Sequence, residues 1–388
     1  MNISTLWRDI RFLKILAQVA FIVVLVLVAA FLYGNLTTNL ARQGLSMGYG
    51  FMTNPASFGI GETFIPYDPS DTYARALLVG LVNTLVISAL GIVLTTIVGV
   101  LAGVARLSSN WLINKFAAAY VAMIRNTPLL LQLMFWYFGV AIQLPPVDEA
   151  IEFPGPAFLT QRGIYMIWGE GTATFPAWRS YILLAIVSII VIWFALRTAQ
   201  KRASVPLSPW WNLAYLVVPV LIIWIGAILQ PEPPLMATVP ELAGFNFAGG
   251  LRLTPEFAAL LFGLVIYTGA FIAEIVRGGI QAVSRGQVEA ARSLGLTNAQ
   301  ALRLVVFPQA LRIMVPPVTS QYLNLAKNSS LAIAIGYPDL FSVAGTVFNQ
   351  TGAAIEIITI MMLSYLSISL FTSILMNIYN NRIQLVER

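Results

Sequence analysis

Long apolar runs recur along the chain and are separated by shorter segments that are polar or rich in glycine and proline. About 20 apolar residues are enough for a helix to cross the hydrocarbon core of a bilayer. In lipid the backbone must satisfy its own hydrogen bonds, so these runs are expected to be helical. Eight membrane-spanning helices are predicted, at residues 15–34, 77–104, 117–142, 181–196, 213–229, 257–276, 309–335 and 355–376.

Composition supports an integral membrane protein. Hydrophobic residues make up 58% of the chain and charged residues 10%, whereas soluble proteins carry roughly 25% charged residues. The runs are continuously apolar, which excludes the alternating strands of an outer-membrane barrel. Cysteine and histidine are both absent. Neither disulfides nor thiolate metal sites are therefore expected, and the commonest metal ligand and general base is missing.

The distribution of charge predicts the orientation of the helices. Short loops rich in lysine and arginine remain in the cytoplasm. Most of the 22 basic residues fall on one side if the N-terminus is inside, whereas the acidic residues gather on the opposite loops. Both termini, including Arg8 and Arg388, are therefore expected in the cytoplasm. Topology thus explains the net charge of +6, and nucleic-acid binding is not needed for it.

Three outer segments are long and rich in glycine, proline and aromatic residues, at residues 35–73, 144–179 and 231–252. Such loops are suited to a docking face for a protein outside the membrane. They are equally suited to capping helices at the interface. The sequence leaves both interpretations open.

A more polar segment, EAARSLGLTNAQALRLVVFP at residues 289–308, lies on the predicted cytoplasmic side. Gly295 occupies a position where a helix would end in a left-handed residue. A short helix is predicted at about residues 286–294, and a second helix is predicted to begin near Asn298 and to be interrupted by Pro308. Two capping boxes are expected to start these helices: Ser284 with Gln287, and Thr297 with Gln300.

The spacing of small and apolar residues in this segment resembles the EAA motif of ATP-binding-cassette (ABC) importer permeases. The matching residues are Glu289, Ala290 and Ala291, then Gly295, then the apolar run that ends at Pro308. The stretches at residues 125–132, 273–280 and 324–331 resemble the branch of that family for polar amino acids. The eight-span layout is similar to that of the general L-amino-acid permeases of Gram-negative bacteria.

The resemblance implies an all-α, polytopic type I importer fold in four parts. An N-terminal helix with an outer segment (residues 1–75) is followed by the first part of the permease core (76–142). An insertion with two outer loops and two helices (143–253) then precedes the second part of the core, which contains the coupling loop (254–388). The resemblance also implies that the EAA helix fits a groove on a separate ATPase. The residues expected to couple to the ATPase are Gly286, Glu289, Ala290, Ala291, Ser293, Leu294 and Gly295.

A helix that lies on the bilayer is the alternative for this segment, but such a helix normally carries bulky apolar residues on one face. The chain contains no Gly-x-x-x-x-Gly-Lys-Ser/Thr sequence, so it is not expected to hold ATP phosphates. ATP and magnesium would belong to the partner ATPase, and this chain would be a transport subunit and not an enzyme. The resemblance further implies a second, homologous permease subunit, a periplasmic amino-acid-binding protein and surrounding membrane lipid as partners, with L-amino acids moving from periplasm to cytoplasm.

A lysine inside a predicted span is the clearest candidate for contact with a substrate, because burying it in lipid costs roughly 2.5 to 3.5 kcal/mol. Lys327 could bind a substrate carboxylate, form part of a gate, or extend to the outer headgroups. The candidate residues along the substrate path are Lys327, Asn324, Asn328, Ser329, Ser330 and Gln132. Glu274 and Arg277 are three positions apart, a spacing that favours a simple ion pair.

Other functional classes are less consistent with these features. An ion-coupled secondary amino-acid transporter is expected to keep carboxylates or histidines near mid-membrane, and the predicted spans hold almost none. A channel needs a repeated filter or a charged ring. A membrane enzyme needs an activated nucleophile or a metal site, and no such pattern is visible in the sequence.

Overall fold

Helices dominate the computed structural model, which describes residues 10–42, 48–202 and 208–383. The α-helices of this part of the chain are α1 (Ile10–Arg42), α2 (Tyr73–Ala105), α3 (Trp111–Arg125), α4 (Leu129–Met134), α5 (Phe175–Arg202), α6 (Ala214–Ile228), α7 (Pro255–Gln281), α8 (Arg285–Ser293), α9 (Asn298–Ala301), α10 (Phe307–Asn328), α11 (Leu340–Thr351) and α12 (Ala354–Ile383). Short π-helical segments cover Phe135–Val140 and Leu302–Val306, and 3₁₀ turns cover Gly50–Thr53, Ala141–Gln143, Val147–Glu149, Pro209–Leu213 and Ser329–Ile335.

Six helices in the described residues are long and apolar enough to cross a membrane. They span Phe12–Asn39, Tyr73–Ala105, Phe175–Gln200, Pro255–Gln281, Asn298–Ile335 and Ala354–Ile383. Two shorter apolar helices cover Leu129–Gln143 and Ala214–Ile228. The predicted helical, membrane-spanning fold class is therefore confirmed. Arg8 and Arg388, which supported the cytoplasmic placement of the termini, lie outside the described residues.

The prediction of one continuous helix over residues 117–142 is wrong, because α3 and α4 meet there at a break. Pro128 is the N-cap of α4, and a proline disfavours helical backbone in the residue before it. The side chain of Gln132 bridges the break between α3 and α4 by hydrogen bonds. Its Nε2 donates to the carbonyl oxygens of Ile124 and Thr127, each at 2.9 Å.

The outer segments contain short strands that the sequence did not predict. They are β1 (Ile151–Phe153), β2 (Ala157–Thr160), β3 (Gly163–Met166), β4 (Trp168–Gly171), β5 (Leu235–Thr238), β6 (Glu241–Ala243), β7 (Asn246–Ala248) and β8 (Leu251–Leu253). The antiparallel pairs β3–β8 and β4–β5 join the segment before α5 to the segment after α6. The two predicted outer segments thus form one subdomain next to the α5–α6 hairpin, which is named the outer subdomain below. Strands of three or four residues are too short to give a period-2 pattern.

One compact unit comprises the described parts of residues 1–84 and 338–374. Its core packs the first turns of α2 against α11 and α12, and α11 was not predicted as a separate helix. Asp339 is the N-cap of α11 and is fully buried. Its carboxylate accepts hydrogen bonds from the Ser342 N–H at 2.9 Å and the Tyr365 hydroxyl at 3.1 Å. Burial raises the pKa of Asp339 to about 6, although both hydrogen bonds act to lower it.

The second unit contains residues 85–337 and the described part of 375–388. Its central helix is α7, which contacts α3, α4 and α10. Two glycines of α2 permit close contact with α7. A Cβ atom at Gly99 would lie 2.5 Å from Ile272 Cγ2, and one at Gly103 would lie 2.7 Å from the Ala273 carbonyl oxygen. Small residues allow helix backbones to approach closely in membranes, so α2 and α7 are in direct contact.

Candidate functional site

The segment between α7 and α10 contains a tight turn where α8 ends. Gly295 has φ +79°, in the left-handed region. Its N–H donates to the Arg292 carbonyl at 2.9 Å, and the Leu296 N–H donates to the Ala291 carbonyl at 3.2 Å. These two bonds make a Schellman motif. The predicted left-handed helix end at Gly295 is confirmed.

One of the two predicted capping boxes forms. Thr297 Oγ1 accepts from the Gln300 N–H at 3.3 Å, and Gln300 Oε1 accepts from the Thr297 N–H at 2.9 Å. The box at Ser284 is wrong, because its side chain makes no capping hydrogen bond. The Gln287 side chain turns instead toward α10, where its Oε1 accepts from Gln309 Nε2 at 3.4 Å. A contact between helices therefore replaces the local box.

Pro308 does not interrupt the second helix as predicted. It occupies the first turn of α10, and the chain before it widens into the π-helical segment Leu302–Val306. Phe307 donates its N–H to the carbonyl of Leu302, five positions back. A proline is tolerated in a first turn because its missing N–H needs no partner there. The π-helical segment lets the chain run without a break from α9 into α10.

The predicted coupling segment, which consists of α8 and the turn after it (residues 285–296), has an accessible surface of mostly small and polar residues. The exposed residues are Gly286, Glu289, Ala290, Ser293, Leu294 and Gly295. The side chain of Leu294 is 82% exposed, whereas Ala291 is only 3% exposed and faces the interior of this chain. Of the predicted coupling residues, Ala291 therefore packs α8 against the rest of this chain. Apart from their chain neighbours and the local helix backbone, no atom of the described residues lies within 4 Å of a Cβ built on Gly286 or Gly295, so a partner has open access to both.

Apolar contacts hold the coupling segment against the membrane helices. Val283, Val306 and Ala310 belong to one buried cluster with Val276 of α7 and Met314 of α10. Val288 of α8 packs against this cluster, so α8 is in apolar contact with the ends of two membrane helices. This buried cluster therefore connects the predicted coupling segment to α7 and α10.

Glu289 provides a negative charge on this surface. It is exposed and makes no ion pair with any residue that the structure describes. The Ser293 hydroxyl donates to the Glu289 carbonyl at 3.0 Å and leaves the carboxylate uninvolved. A carboxylate of this kind is available to a donor on a partner, where a charge-assisted hydrogen bond is roughly twice as strong as a neutral one.

A three-residue ion cluster lies close to the C-terminal end of α7. Glu274 accepts from Arg277, which confirms the predicted pair, and also from Arg106, beyond the end of α2. The second partner was missed, because it is far away in sequence and only the contact between α2 and α7 brings it near. Arg277 also donates through Nη1 to Gln281 Oε1 at 2.6 Å. The cluster connects the C-terminal end of α2 to α7, just before the predicted coupling segment.

The predicted substrate-path residues divide into exposed and internal groups. Asn324 and Lys327 are exposed on α10, and Asn328 is half-buried. Ser329 is fully buried and donates its hydroxyl to the Ala326 carbonyl at 2.9 Å. Ser330 donates to the Lys327 carbonyl at 2.8 Å. The structure thus brings Asn324 and Lys327 to one surface and turns Ser329 away from it.

Ser320 extends this surface and was missed in the sequence. Ser320, Asn324 and Lys327 are exposed at positions i, i+4 and i+7 of α10, so they lie on one face of the helix. The spacing alone could have revealed this polar stripe. Gln132 lies elsewhere, 6% exposed, at the break between α3 and α4. Its hydrogen bonds to the carbonyl oxygens of Ile124 and Thr127 cap the C-terminal end of α3.

Comparison with known proteins identifies the family. The family model described as "Binding-protein-dependent transport system inner membrane component" matches residues 203–385. The chain is 48% identical over 382 residues to the "Putative amino-acid ABC transporter permease protein YhdX" of Escherichia coli (strain K12), with 96% of this chain and 94% of that protein covered. The chain belongs to the family of ABC transporter permeases.

Two further relatives match the permease over nearly its full length. It is 45% identical to the "General L-amino acid transport system permease protein AapQ" of Rhizobium johnstonii, with 98% of this chain and 94% of that protein covered. It is 36% identical to the "Glutamate/glutamine/aspartate/asparagine transport system permease protein BztB" of Rhodobacter capsulatus, with 100% and 97% covered. The permease is thus a multi-pass membrane component of a transporter, and its family implies an ATPase partner.

Proposed function

We propose that this permease carries L-amino acids of polar or broad side-chain type from the periplasm to the cytoplasm, driven by ATP hydrolysis on a separate subunit. The observation that carries the proposal is the coupling surface, which holds Glu289 and Gly295 exposed on a segment packed into the ends of α7 and α10. The names of the full-length relatives support an amino-acid substrate. In this scheme ATP and magnesium bind to the partner ATPase, and the chain itself is a transport subunit without an ATPase site.

The assembly would contain further partners. A second, homologous permease subunit and a periplasmic amino-acid-binding protein complete the proposed importer in the bacterial inner membrane. Both termini of this chain would face the cytoplasm, on the same side as the coupling segment, as the distribution of basic residues favours.

The substrate path is proposed to pass along the stripe formed by Ser320, Asn324 and Lys327. Polar residues in a membrane span normally face other helices or a water-filled cavity. This stripe is exposed on the single chain, so a second permease subunit or an aqueous path is expected to cover it. Lys327 would attract the substrate carboxylate, and Asn324 would offer amide hydrogen bonds.

Replacing Lys327 with alanine is expected to lower uptake at least about tenfold, because a hydrogen bond to a charged group contributes about 1.5 to 3 kcal/mol. Initial uptake rates in proteoliposomes over a range of substrate concentrations give the measurement. A raised KM indicates contact with the carboxylate, whereas a lower kcat at constant KM indicates a gate. Lys327→Arg is the control that keeps the charge. An unchanged rate for Lys327→Ala would leave only headgroup contact for this lysine.

Uptake is expected to require ATP and to persist when ion gradients are collapsed. The test uses the complete complex in proteoliposomes, with the binding protein outside, ATP inside and ionophores that dissipate proton and sodium gradients. Labelled amino acid should accumulate only when ATP is present. Accumulation driven by an ion gradient without ATP would instead establish a secondary transporter and overturn the proposed function.

A further inference from the structure

A pocket of about 580 Å³ opens on the outer subdomain, at the junction between the β4–β5 ribbon and the start of α5. It is built from two aromatic rings, one aliphatic side chain, one carboxylate and two glycines. The lining residues are Trp168, Gly169, Glu170, Gly171, Phe175 and Leu235.

The aromatic wall formed by Phe175 is held in place. Trp168 and Glu170 alternate with Gly169 along β4 and therefore project to the same face. The Phe175 ring lies against Gly171, where a Cβ would come within 2.9 Å of the ring. Trp178 packs beside Phe175 with ring centroids 5.8 Å apart, and its Nε1 donates to a carbonyl of α6 at 2.9 Å. The pocket is thus formed before any partner arrives.

The carboxylate in this pocket has no counter-ion. Glu170 is exposed and forms no ion pair with any residue in the described ranges. Two arginines of the subdomain are engaged with the backbone, since Arg162 donates to the Phe245 carbonyl at 2.7 Å and Arg252 to the Arg162 carbonyl at 3.2 Å. Further exposed acidic residues of the same outer segments are Asp148, Glu149, Glu152, Glu232 and Glu241. Arg179, in the first turns of α5, is exposed as well, so the two segments carry six exposed carboxylates against three arginines and are net negative.

We propose that this pocket receives a lysine or arginine side chain of the periplasmic binding protein when that protein docks. This inference rests on the proposed import function. A cation is attracted to the face of tryptophan or phenylalanine, and Glu170 would complete the site with a charge-assisted hydrogen bond. The surrounding acidic residues would steer a basic surface toward the pocket and speed its association.

A phospholipid amine is the competing occupant, and the charges of the subdomain disfavour it. The amine of a zwitterionic headgroup carries its phosphate with it, and the exposed acidic residues repel that phosphate. A basic side chain on a protein surface brings no such anion. Electrostatic complementarity of this kind selects among partners as well as attracting them.

The direct test is a zero-length carboxyl-to-amine cross-link on the wild-type complex. The complete importer in nanodiscs that contain phosphatidylethanolamine is incubated with its purified binding protein and a carbodiimide, and the products are mapped by mass spectrometry. A lysine of the binding protein joined to Glu170 is the expected result. Glu241, on the separate β6–β7 ribbon, is the matched position and should give no such product. Glu170 joined only to lipid amine would overturn the proposal.

Substitutions give a second, functional test that also covers an arginine ligand, which a carbodiimide does not capture. Glu170→Gln and Trp168→Leu should each raise the half-saturating concentration of binding protein for uptake about fivefold or more. The maximal rate at saturating binding protein should be retained. Glu241→Gln removes one steering charge but no pocket contact, so it should raise the half-saturating concentration much less than Glu170→Gln does. Equal half-saturation for Glu170→Gln and wild type overturns the inference. If ATP-driven uptake is absent from the wild type itself, it is the proposed function that fails.

Discussion

Replacing Glu289 with lysine is expected to stop ATP-driven uptake and to leave membrane insertion intact. Glu289 is exposed and has no ion pair in the described chain, so the folded permease loses no internal contact. At a docked interface the reversed charge meets groups arranged for a carboxylate, and such a mismatch costs several kcal/mol. Uptake should fall by about 100-fold or more, since each 1.4 kcal/mol corresponds to a factor of ten. Initial uptake rates, normalised to the amount of permease in the membrane, provide the measurement.

Variants of Gly295 separate backbone strain from obstruction of the interface. Gly295 has a left-handed backbone, and a Cβ added there would have no neighbour within 4 Å. Asparagine tolerates this conformation, so Gly295→Asn should keep most of the uptake. Gly295→Arg should abolish it, because a long side chain would project toward the partner. Gln200→Lys, at the exposed inner end of α5, controls for added positive charge. Normal uptake by both Glu289→Lys and Gly295→Arg would remove the assignment of this surface to coupling.

Enlarging Gly103 is expected to prevent stable packing of α2 on α7. A Cβ at this position would lie 2.7 Å from both the Ala273 carbonyl oxygen and Val276 Cβ. The carbonyl belongs to the backbone of α7 and has no rotamer that relieves the clash. Overpacking costs about 1 to 3 kcal/mol for small insertions. Gly103→Ala should therefore lower the apparent melting temperature of the complex, and Gly103→Leu should yield little monodisperse protein in mild detergent.

Another glycine provides the matched control for this substitution. Gly278 lies in α7, and a Cβ added there would have no atom within 4 Å. Gly278→Ala should be neutral or stabilising, because alanine favours a helix over glycine by up to about 1 kcal/mol. Gly99→Ala should behave like Gly103→Ala, since its Cβ would meet Ile272 at 2.5 Å. Equal melting temperatures for Gly103→Ala and Gly278→Ala would show that the close contact contributes nothing to stability.

The coupling segment shows how far local sequence specifies structure. The turn at Gly295 and the capping box of Thr297 with Gln300 form as predicted, because all their partners lie within a few residues. The Ser284 box does not form, since Gln287 contacts Gln309 of another helix. A local capping motif thus fails to form when one of its side chains makes a hydrogen bond to a residue distant in sequence instead.

The same distinction applies to the candidate substrate path. The sequence identified Lys327 and Asn324 as polar residues of an apolar span, and both are exposed on α10. It grouped Ser329 with them, whereas the structure buries this hydroxyl against its own backbone. Neighbours in sequence share a helical face only at spacings of three or four residues. Adjacent polar residues therefore separate once the helix is formed.

The sequence by itself determined the membrane-spanning class, the positions of the long helices and the resemblance that led to the family. These features depend on hydrophobic runs and fixed spacings, which are properties of neighbouring residues. Only the tertiary structure decided that Glu274 holds Arg106 as well as Arg277, that the segments before α5 and after α6 pair into one subdomain, and that Leu235 joins Trp168, Glu170 and Phe175 to line a pocket. Such contacts join residues far apart in the chain, and they form only when packing of whole elements compensates the entropy of closing long loops.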